Sequence, residues 1–273
     1  MYPPKFDYYR AGSVAEALSL KQQHGGKFLA GGHSLIPVMN MRLADPGVVI
    51  DIGRISGLKG ITPGNGSVRI GALTTHRMVA ASKDVPQALS EAAGWIGDPQ
   101  VRNRGTVGGN VSHADPASDL PTVLTALGAT FHIQGAKGMR AVAAANFFTG
   151  LFETALGEDE LLLAVEVPTH FSGSAYKKLS NPASRYAMVG AAAALSASGA
   201  TVAVGGLTPH AMRCPSVEAA LASGKSAADV AAAVLNDLGH DILGDIHASA
   251  DYRRQMAVVY VRRAIQEAMT RSA

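Results

Sequence analysis

Two short segments that each carry a glycine pair constrain this chain more than any other feature of its sequence. Gly31-Gly32 follows a short apolar segment and precedes a predicted helix, and Gly108-Gly109 lies within residues 106–110. Glycine adopts positive φ without steric cost and lets the backbone approach a ligand closely. Amides at the N-terminus of a following helix favour an anion. Each segment therefore suits a phosphate group, although a tight turn that binds nothing would use the same residues.

Polar residues around the second pair support this interpretation. Thr106 and Asn110 can hydrogen-bond a sugar or a phosphate, and Asp119, at the start of a predicted helix, can accept a hydrogen bond from a ribose hydroxyl. Aspartate is also a common helix N-cap, which alone would account for Asp119. Neither segment contains the GxxxxGK(S/T) or GxGxxG pattern of other phosphate-binding loops. The sequence thus predicts a phosphate held between two loops and does not identify the nucleotide.

The single cysteine, Cys214, limits the redox chemistry that this chain can carry by itself. An iron–sulfur cluster needs about four ligands, so any cluster that works with this protein belongs to another chain. One cysteine also fits a reducing cytoplasm. The N-terminal residues lack the apolar core of an export signal, and no apolar run reaches the roughly 18 residues of a membrane span. We therefore expect a cytoplasmic protein without a membrane span.

The charge of the chain and its distribution argue against a nucleic-acid partner. The net charge is +3, the basic residues are dispersed apart from two arginine pairs near the C-terminus, and aromatic residues make up 5%. Nucleic-acid-binding proteins usually present a denser basic face, so we expect no nucleic-acid partner. At 273 residues the chain is long enough for two domains and a sizeable core.

The order of the predicted elements indicates an α+β fold without the regular strand–helix alternation of a doubly wound sheet. Ser13 and Glu16 form a capping-box pattern that opens a helix running to about His24. This helix begins an αβαβ unit over residues 1 to about 55. Further strands are expected at 68–72, 129–134 and 160–167, with helices at 74–82, 86–96 and 119–127.

Residues after about 174 have the pattern of a separate domain. Apolar or alternating segments joined by turn residues predict an antiparallel sheet, at 175–179, 186–196 and 200–205. Helical periodicity follows, at 216–223, 226–238 and 250–272. We therefore expect a domain of residues 1–174, with subdomains of about 1–55 and 56–174, and a C-terminal domain of residues 175–273.

The two glycine segments together resemble the flavin motifs of a known protein family. Residues 30–39, AGGHSLIPVM, are similar to the first flavin motif of the medium subunit of bacterial carbon monoxide dehydrogenases and related molybdenum hydroxylases. Residues 106–110, TVGGN, and 114–121, ADPASDLP, are similar to the second motif. The same module is the central FAD domain of xanthine dehydrogenases. The resemblance extends over nearly the whole chain and is specific, because both motifs occur at the family's spacing.

The resemblance implies a fold and a cofactor. The fold would be a two-subdomain FAD-binding domain of the vanillyl-alcohol-oxidase/MurB type, followed by a C-terminal antiparallel sheet with a helical bundle. The FAD diphosphate would lie on residues 31–35, with the second segment opposite and Asp119 at the adenosine ribose. The implied cofactor-binding set is Ala30, Gly31, Gly32, His33, Ser34, Leu35, Ile96, Thr106, Gly109, Asn110, Asp119, Leu162, Lys177 and Tyr186.

Several members of that set have simpler alternatives. Ile96 and Leu162 are also ordinary core residues, and Lys177 can be a solvated strand residue. Tyr186, which the resemblance places against the flavin ring, can be buried structure. His113 lies between the motifs, and we interpret it as a loop histidine because no Ser or Cys nucleophile pattern lies nearby. We predict no metal ligand and no catalytic residue on this chain.

The resemblance also implies a division of labour between chains. FAD would be the cofactor of this subunit, while a large partner holds the molybdenum cofactor and a small partner holds the two-iron, two-sulfur clusters. Electrons would pass from the clusters through FAD to a terminal acceptor, in a complex built as a dimer of heterotrimers. Two alternatives remain: a free-standing flavin-dependent oxidoreductase of the same superfamily, and a nucleotide-binding module without a redox role.

Overall fold

The computed structural model describes residues 2–272. Within them the strands are β1 (Asp7–Arg10), β2 (Lys27–Leu29), β3 (Val48–Asp51), β4 (Ile61–Pro63), β5 (Ser67–Gly71), β6 (Thr130–Gly135), β7 (Gly138–Ala143), β8 (Phe148–Gly150), β9 (Glu153–Thr154), β10 (Leu161–Pro168), β11 (Gly173–Ser180), β12 (Ala187–Ser196), β13 (Gly199–Gly205) and β14 (Met212–Arg213). The α-helices are α1 (Val14–His24), α2 (Leu35–Asn40), α3 (His76–Ala81), α4 (Gln87–Trp95), α5 (Pro99–Arg104), α6 (Val107–His113), α7 (Asp119–Ala126), α8 (Pro215–Ala222), α9 (Ala227–Val230), α10 (Val234–Asp237) and α11 (Ala250–Ser272). Short 3₁₀ helices cover Ser56–Leu58, Ala144–Asn146 and Ala231–Ala233.

A small parallel sheet forms the N-terminal part of the molecule, with strand order β1-β3-β2. The predicted helix after Ser13 is confirmed, since the Ser13 hydroxyl accepts a hydrogen bond from the Glu16 amide. The Glu16 carboxylate accepts from the amide of Gly12 rather than Ser13. The predicted αβαβ unit omitted β1, whose DYYR sequence is polar and mostly exposed. An exposed edge strand gives no apolar alternation to detect.

An antiparallel sheet with strand order β4-β5-β10-β6-β7 forms the centre of the molecule. The hairpin between β4 and β5 turns at the glycines of residues 64–66. Residues of α3, α4, α6 and α7 share one apolar core with the strands β5, β6 and β10. All eight residues of α7 are buried, because this helix also packs against β12 and β13.

The C-terminal sheet is antiparallel, as predicted, with strand order β11-β12-β13-β14. One face contacts α4 and α7, and the other is covered by α11, which packs across β11 and β12. The alanine-rich sequence of β12 keeps side chains small on both faces, so helices approach closely on each side. The predicted helix 226–238 is interrupted: α9 and α10 are separated by the 3₁₀ helix Ala231–Ala233.

The arrangement of these three sheets places the two predicted glycine segments near each other. The first connects β2 to α2, and the second forms the N-cap and first turn of α6. Both are at the junction of the small parallel sheet with the central sheet. Over residues 2–272, none of the helices combines the length and apolar character that crossing a bilayer requires.

Candidate functional site

A cleft of about 960 Å³ lies where the N-terminal, central and C-terminal parts of the chain meet. This volume is at the upper end of the range for small-molecule and cofactor sites. Its walls include both glycine segments, the β8–β9 hairpin, residues 156–162 and the loop 183–186. Residues of three sheets therefore surround one space that is large enough for an extended ligand.

The backbone of the first glycine segment touches the backbone that immediately precedes the second. A Cβ added to Gly31 would lie 2.1 Å from the carbonyl oxygen of Arg104 and 3.0 Å from the Cα of Gly105. Real Cβ atoms do not approach other atoms so closely, so only glycine fits at position 31. A Cβ on Gly109 would lie 3.8 Å from the Cβ of Ala30. The two segments thus form adjacent walls of the same cleft.

The first segment presents a run of unused backbone donors. Within residues 2–272, no protein group accepts a hydrogen bond from the amides of residues 31–35. The turn depends on Gly32, whose φ of +76° is in the left-handed region that favours glycine. The Ser34 side chain makes no capping hydrogen bond to α2. Five consecutive amides and one hydroxyl are therefore free to bind an anion in the cleft.

The second segment is the start of a helix rather than the predicted loop. Thr106 is the N-cap of α6, and its hydroxyl accepts from the Gly109 amide at 3.1 Å. The amides of Val107 and Gly108 donate to the carbonyls of Thr74 and Ala72, at 2.9 and 2.8 Å. These amides are already used within the protein. What this segment offers a ligand is the Thr106 and Asn110 side chains and a glycine surface without side chains.

Asp119 lies at the edge of the cleft in a buried network. The Tyr176 hydroxyl donates to Asp119 Oδ1 at 2.7 Å, and the Lys178 ammonium lies 2.8 Å from the same oxygen and donates to Oδ2 at 3.0 Å. Burial raises the pKa of Asp119 above its ordinary value, while Lys178 and Tyr176 counteract part of that rise. Lys178 also donates to the carbonyls of Trp95 and Arg185, at 3.1 and 2.7 Å. The predicted ribose ligand is thus itself held by the C-terminal domain.

Lys177, which was included in the predicted set, does not line the cleft. Successive side chains of a strand point to opposite faces of the sheet, and Lys177 faces α11, where it pairs with Glu267 at 3.3 Å. Its neighbour Lys178 faces the cleft side and is fully buried. Lys178, rather than Lys177, is therefore the lysine that contacts Asp119 beside the cleft.

The structure brings the other predicted residues to the cleft. Ala30 to Leu35 of the first segment, together with Thr106, Gly109 and Asn110, line it. Ile96 and Leu162 contribute buried apolar surface, and Tyr186 lines the opposite end with about half of its surface exposed. His113, interpreted as a loop histidine, is the last residue of α6 and also lines the cleft.

His76 and Phe152 are among the cleft residues that the sequence analysis did not identify. His76 begins α3 and is buried, and burial, with a smaller effect of His33, lowers its pKa to about 4. Phe152, between β8 and β9, has a φ of +56° and its ring lies 5.2 Å from that of His113. A bulky residue in this backbone region is uncommon. The polar run Thr74-Thr75-His76 was a usable signal, whereas nothing in the sequence around Phe152 indicated its position.

The residues present fit a dinucleotide such as FAD. Free amides in one wall suit a diphosphate, neighbouring Thr106 and Asn110 add polar contacts, and apolar side chains line the remaining walls. One buried polar atom, His76 Nδ1, has no partner in the part of the chain that the structure describes. No group of three or more His, Cys, Asp or Glu residues in that part is placed to hold a metal ion.

Comparisons with known proteins agree with this arrangement. Residues 4–170 match the family described as the FAD binding domain in molybdopterin dehydrogenase, and residues 174–268 match the CO dehydrogenase flavoprotein C-terminal domain. The chain is 39% identical over its whole length to the carbon monoxide dehydrogenase medium chain of Hydrogenophaga pseudoflava, all of which is covered. It is also 39% identical to subunit alpha of the 6-hydroxypseudooxynicotine dehydrogenase complex of Paenarthrobacter nicotinovorans, covering 100% of this chain and 97% of that one.

A solved structure gives the same result for the fold. The chain superimposes on a chain of the Hydrogenophaga pseudoflava carbon monoxide dehydrogenase that lacks the Mo-pyranopterin moiety, with a TM-score of 0.94, 38% identity and complete coverage of both chains. The predicted α+β fold, an FAD-binding domain followed by a C-terminal sheet domain, is confirmed. On this evidence the chain belongs to the family of FAD-binding medium subunits of molybdenum hydroxylases.

Proposed function

We propose that this chain holds FAD in the cleft and passes electrons from iron–sulfur clusters on a partner subunit to a terminal acceptor. The observation that carries the proposal is the run of five amides that have no protein acceptor within residues 2–272, in the cleft wall beside the second glycine segment. FAD, when bound, supplies the redox chemistry, since a flavin can accept and release electrons that no side chain here can carry. The chain's own residues bind and orient the cofactor.

The arrangement of side chains suggests a role for each wall. The amides of residues 31–35 and the Ser34 hydroxyl would hold the diphosphate, with Thr106, Gly109 and Asn110 on its other side. Asp119, oriented by Lys178, would accept a hydrogen bond from a hydroxyl of the adenosine ribose. Ala30, Ile96, Leu162 and Tyr186 would provide apolar contacts to the rings. We assign this site to a domain of residues 1–174, completed by Lys178 and the loop 183–186 of a C-terminal domain of residues 175–273.

Substrate oxidation belongs to a partner chain in this proposal. The two relatives at 39% identity are named for different substrates, carbon monoxide and 6-hydroxypseudooxynicotine, and each name denotes one chain of a larger enzyme. A common flavin subunit with different substrates fits a substrate site on another chain. We therefore propose a large molybdenum-cofactor subunit and a small iron–sulfur subunit as partners, in a dimer of heterotrimers. The single buried cysteine supports a cytoplasmic location.

Two measurements test the proposal. FAD titrated into the purified full-length chain should bind with a stoichiometry of one and give the visible bands of a protein-bound flavin. Affinity purification of the tagged chain from its native cells should then recover molybdenum and iron–sulfur subunits, and the isolated chain should turn over no organic substrate. A chain that binds no FAD, or one that purifies alone and oxidises substrate by itself, would refute it. The latter result would favour a free-standing flavoenzyme.

A further inference from the structure

His76 lies where the first glycine segment meets the connection that leads into the second. Its amide donates to the carbonyl of Gly105 at 3.1 Å. Its ring packs on the same residue, since a Cβ added to Gly105 would lie 2.8 Å from the His76 Cδ2 and 2.9 Å from its Nε2. Gly31 packs against the same Arg104–Gly105 peptide. The imidazole thus lies next to the contact between the two walls and lines the cleft.

The His76 ring is an unusual group to bury at this point. The residue is 3% exposed and lines the cleft. Its Nδ1 is shielded from solvent and has no hydrogen-bond partner within residues 2–272. Its Nε2 also makes no hydrogen bond there but is not fully shielded, so Nε2 is the ring nitrogen that reaches the cleft. An apolar side chain of similar size would fill this space without leaving a polar atom unpaired.

The protonation state of the ring follows from its surroundings. Burial, assisted by the nearby His33, lowers the pKa of His76 to about 4, so the imidazole is neutral at physiological pH. A neutral imidazole carries a single N–H. Orphaned buried N–H groups are rarer than unpaired acceptors, so the proton belongs on Nε2, the nitrogen beside Gly105, and Nδ1 keeps its lone pair. The ring is then a neutral donor that lines the same cleft as the free amides of the first segment.

We propose that His76 is a further cofactor-binding residue, whose ring N–H donates to the diphosphate held between the two glycine segments. The inference rests on the proposed FAD site. It explains why a polar ring is buried where an apolar one would be more stable. It also adds to the second wall the donor that the occupied amides of α6 do not supply.

The test uses the FAD-free full-length chain and its His76→Leu and His76→Gln variants. Leucine fills the space without a donor, and glutamine retains a donor at a similar reach. We expect the Kd for FAD to rise about tenfold or more in His76→Leu, as for a lost hydrogen bond to a charged group. The Kd for ADP, which has the diphosphate without the flavin, should rise by a similar factor, and His76→Gln should recover most of the affinity.

Thermal unfolding without cofactor separates binding from a purely structural role. Because leucine removes an unpaired buried atom, the Tm of the cofactor-free His76→Leu chain should be equal to or above that of the wild type. Arg77→Leu, an exposed change in the same helical turn, is the control and should leave the Kd unchanged. Unchanged FAD affinity in His76→Leu, a loss for FAD but not for ADP, or a lowered Tm that accounts for the loss would each overturn the inference. If the wild-type chain itself binds no FAD, the proposed function fails instead.

Discussion

The space for a side chain at Gly31 is already taken by the backbone of Arg104. This contact fixes how closely the first glycine segment lies against the α5–α6 connection. A methyl group at position 31 would have to push the β2–α2 turn away from the α5–α6 connection. Neither backbone can move without disturbing the amides of residues 31–35, so the effect on the site should exceed the effect on the fold.

We predict that Gly31→Ala weakens FAD binding at least tenfold and lowers the free energy of unfolding by about 1–3 kcal/mol, the usual cost of overpacking. Fluorescence titration with FAD and urea unfolding measure the two effects. Gly57→Ala is the matched control, because a Cβ there meets nothing within 4 Å. Wild-type FAD affinity in Gly31→Ala would show that the diphosphate lies elsewhere.

His76 should make the stability of the cofactor-free chain depend on pH. Its pKa is about 4 in the folded chain and about 6.5 when unfolded. Between these values the unfolded chain binds a proton that the folded chain does not, so stability falls as pH falls from about 6.5 to 4. We expect His76→Leu to gain up to about 3 kcal/mol relative to wild type across this interval. Urea unfolding of both chains at pH 7 and pH 4.5 measures this gain. A difference in the free energy of unfolding between the two chains that is the same at both pH values would contradict the prediction.

At the level of single residues, the sequence locates the two glycine segments and misses cleft residues whose positions depend on contacts with distant parts of the chain. The residues of the first segment follow from local chemistry, because glycines at a strand-to-helix turn leave amides unpaired. The choice between Lys177 and Lys178 depends on which face of β11 meets Asp119. A one-residue change of register exchanges the two faces, and the sequence of β11 does not set that register.

Among the elements, α6 shows how tertiary contacts override local preference. Two glycines in its first turn disfavour a helix by about 1 kcal/mol each, and the segment was predicted as a loop. The helix forms because the Thr106 hydroxyl caps it and because Ala72 and Thr74 accept its first amides. Those acceptors belong to the segment between β5 and α3, so local sequence alone could not identify them.

The position of α11 depends on a buried arginine at its N-terminal end. Arg253, 5% exposed, donates to the carbonyls of Met188 and Gly206 and to the carboxylate of Asp245. We predict that Arg253→Leu lowers the free energy of unfolding by about 1–3 kcal/mol for each buried carbonyl left unpaired. Urea unfolding followed by circular dichroism measures the change.

The neighbouring arginine provides the control for this prediction. Arg254 makes one exposed hydrogen bond, to the carbonyl of Gly239. Arg254→Leu should change stability by no more than about 0.5 kcal/mol, as for other surface substitutions. Equal losses in the two variants would mean that the buried hydrogen bonds of Arg253 contribute little to docking α11 on its sheet.

In the whole molecule, Lys178 connects the two parts of the chain that frame the cleft. It joins β11 to the start of α7, the end of α4 and the loop that carries Tyr186. We predict that Lys178→Met destabilises the chain by about 3–5 kcal/mol, because Asp119 is left as an uncompensated buried charge. Chemical unfolding with and without FAD would measure both the stability and the retained cofactor affinity.

Lys177→Met is the comparison for that variant. The Lys177–Glu267 pair is partly exposed, so its loss should cost less than about 1 kcal/mol. Adding Asp119→Asn to Lys178→Met should recover part of the lost stability, because the stranded charge is removed. If Lys177→Met proved as damaging as Lys178→Met, the buried network would not be what joins the two parts.

The overall architecture was predictable because two motifs at a fixed spacing identify a family, and the family fixes the fold. What joins the parts was not predictable, because the Tyr176, Lys178 and Arg271 contacts to α4 and α7 link distant positions. One buried cysteine cannot hold an iron–sulfur cluster, so electrons reach this flavin subunit from another chain.

In the proposed complex, the amides of residues 31–35 and the side chains of the second segment hold the diphosphate of one FAD. The most direct test is an NMR titration of the ¹⁵N-labelled, FAD-free full-length chain with FAD. We predict that the backbone amide signals of Gly31 to Leu35 and the side-chain amide of Asn110 shift together and saturate at one equivalent. If FAD binds while the signals of residues 31–35 stay in place, the diphosphate does not lie on this segment.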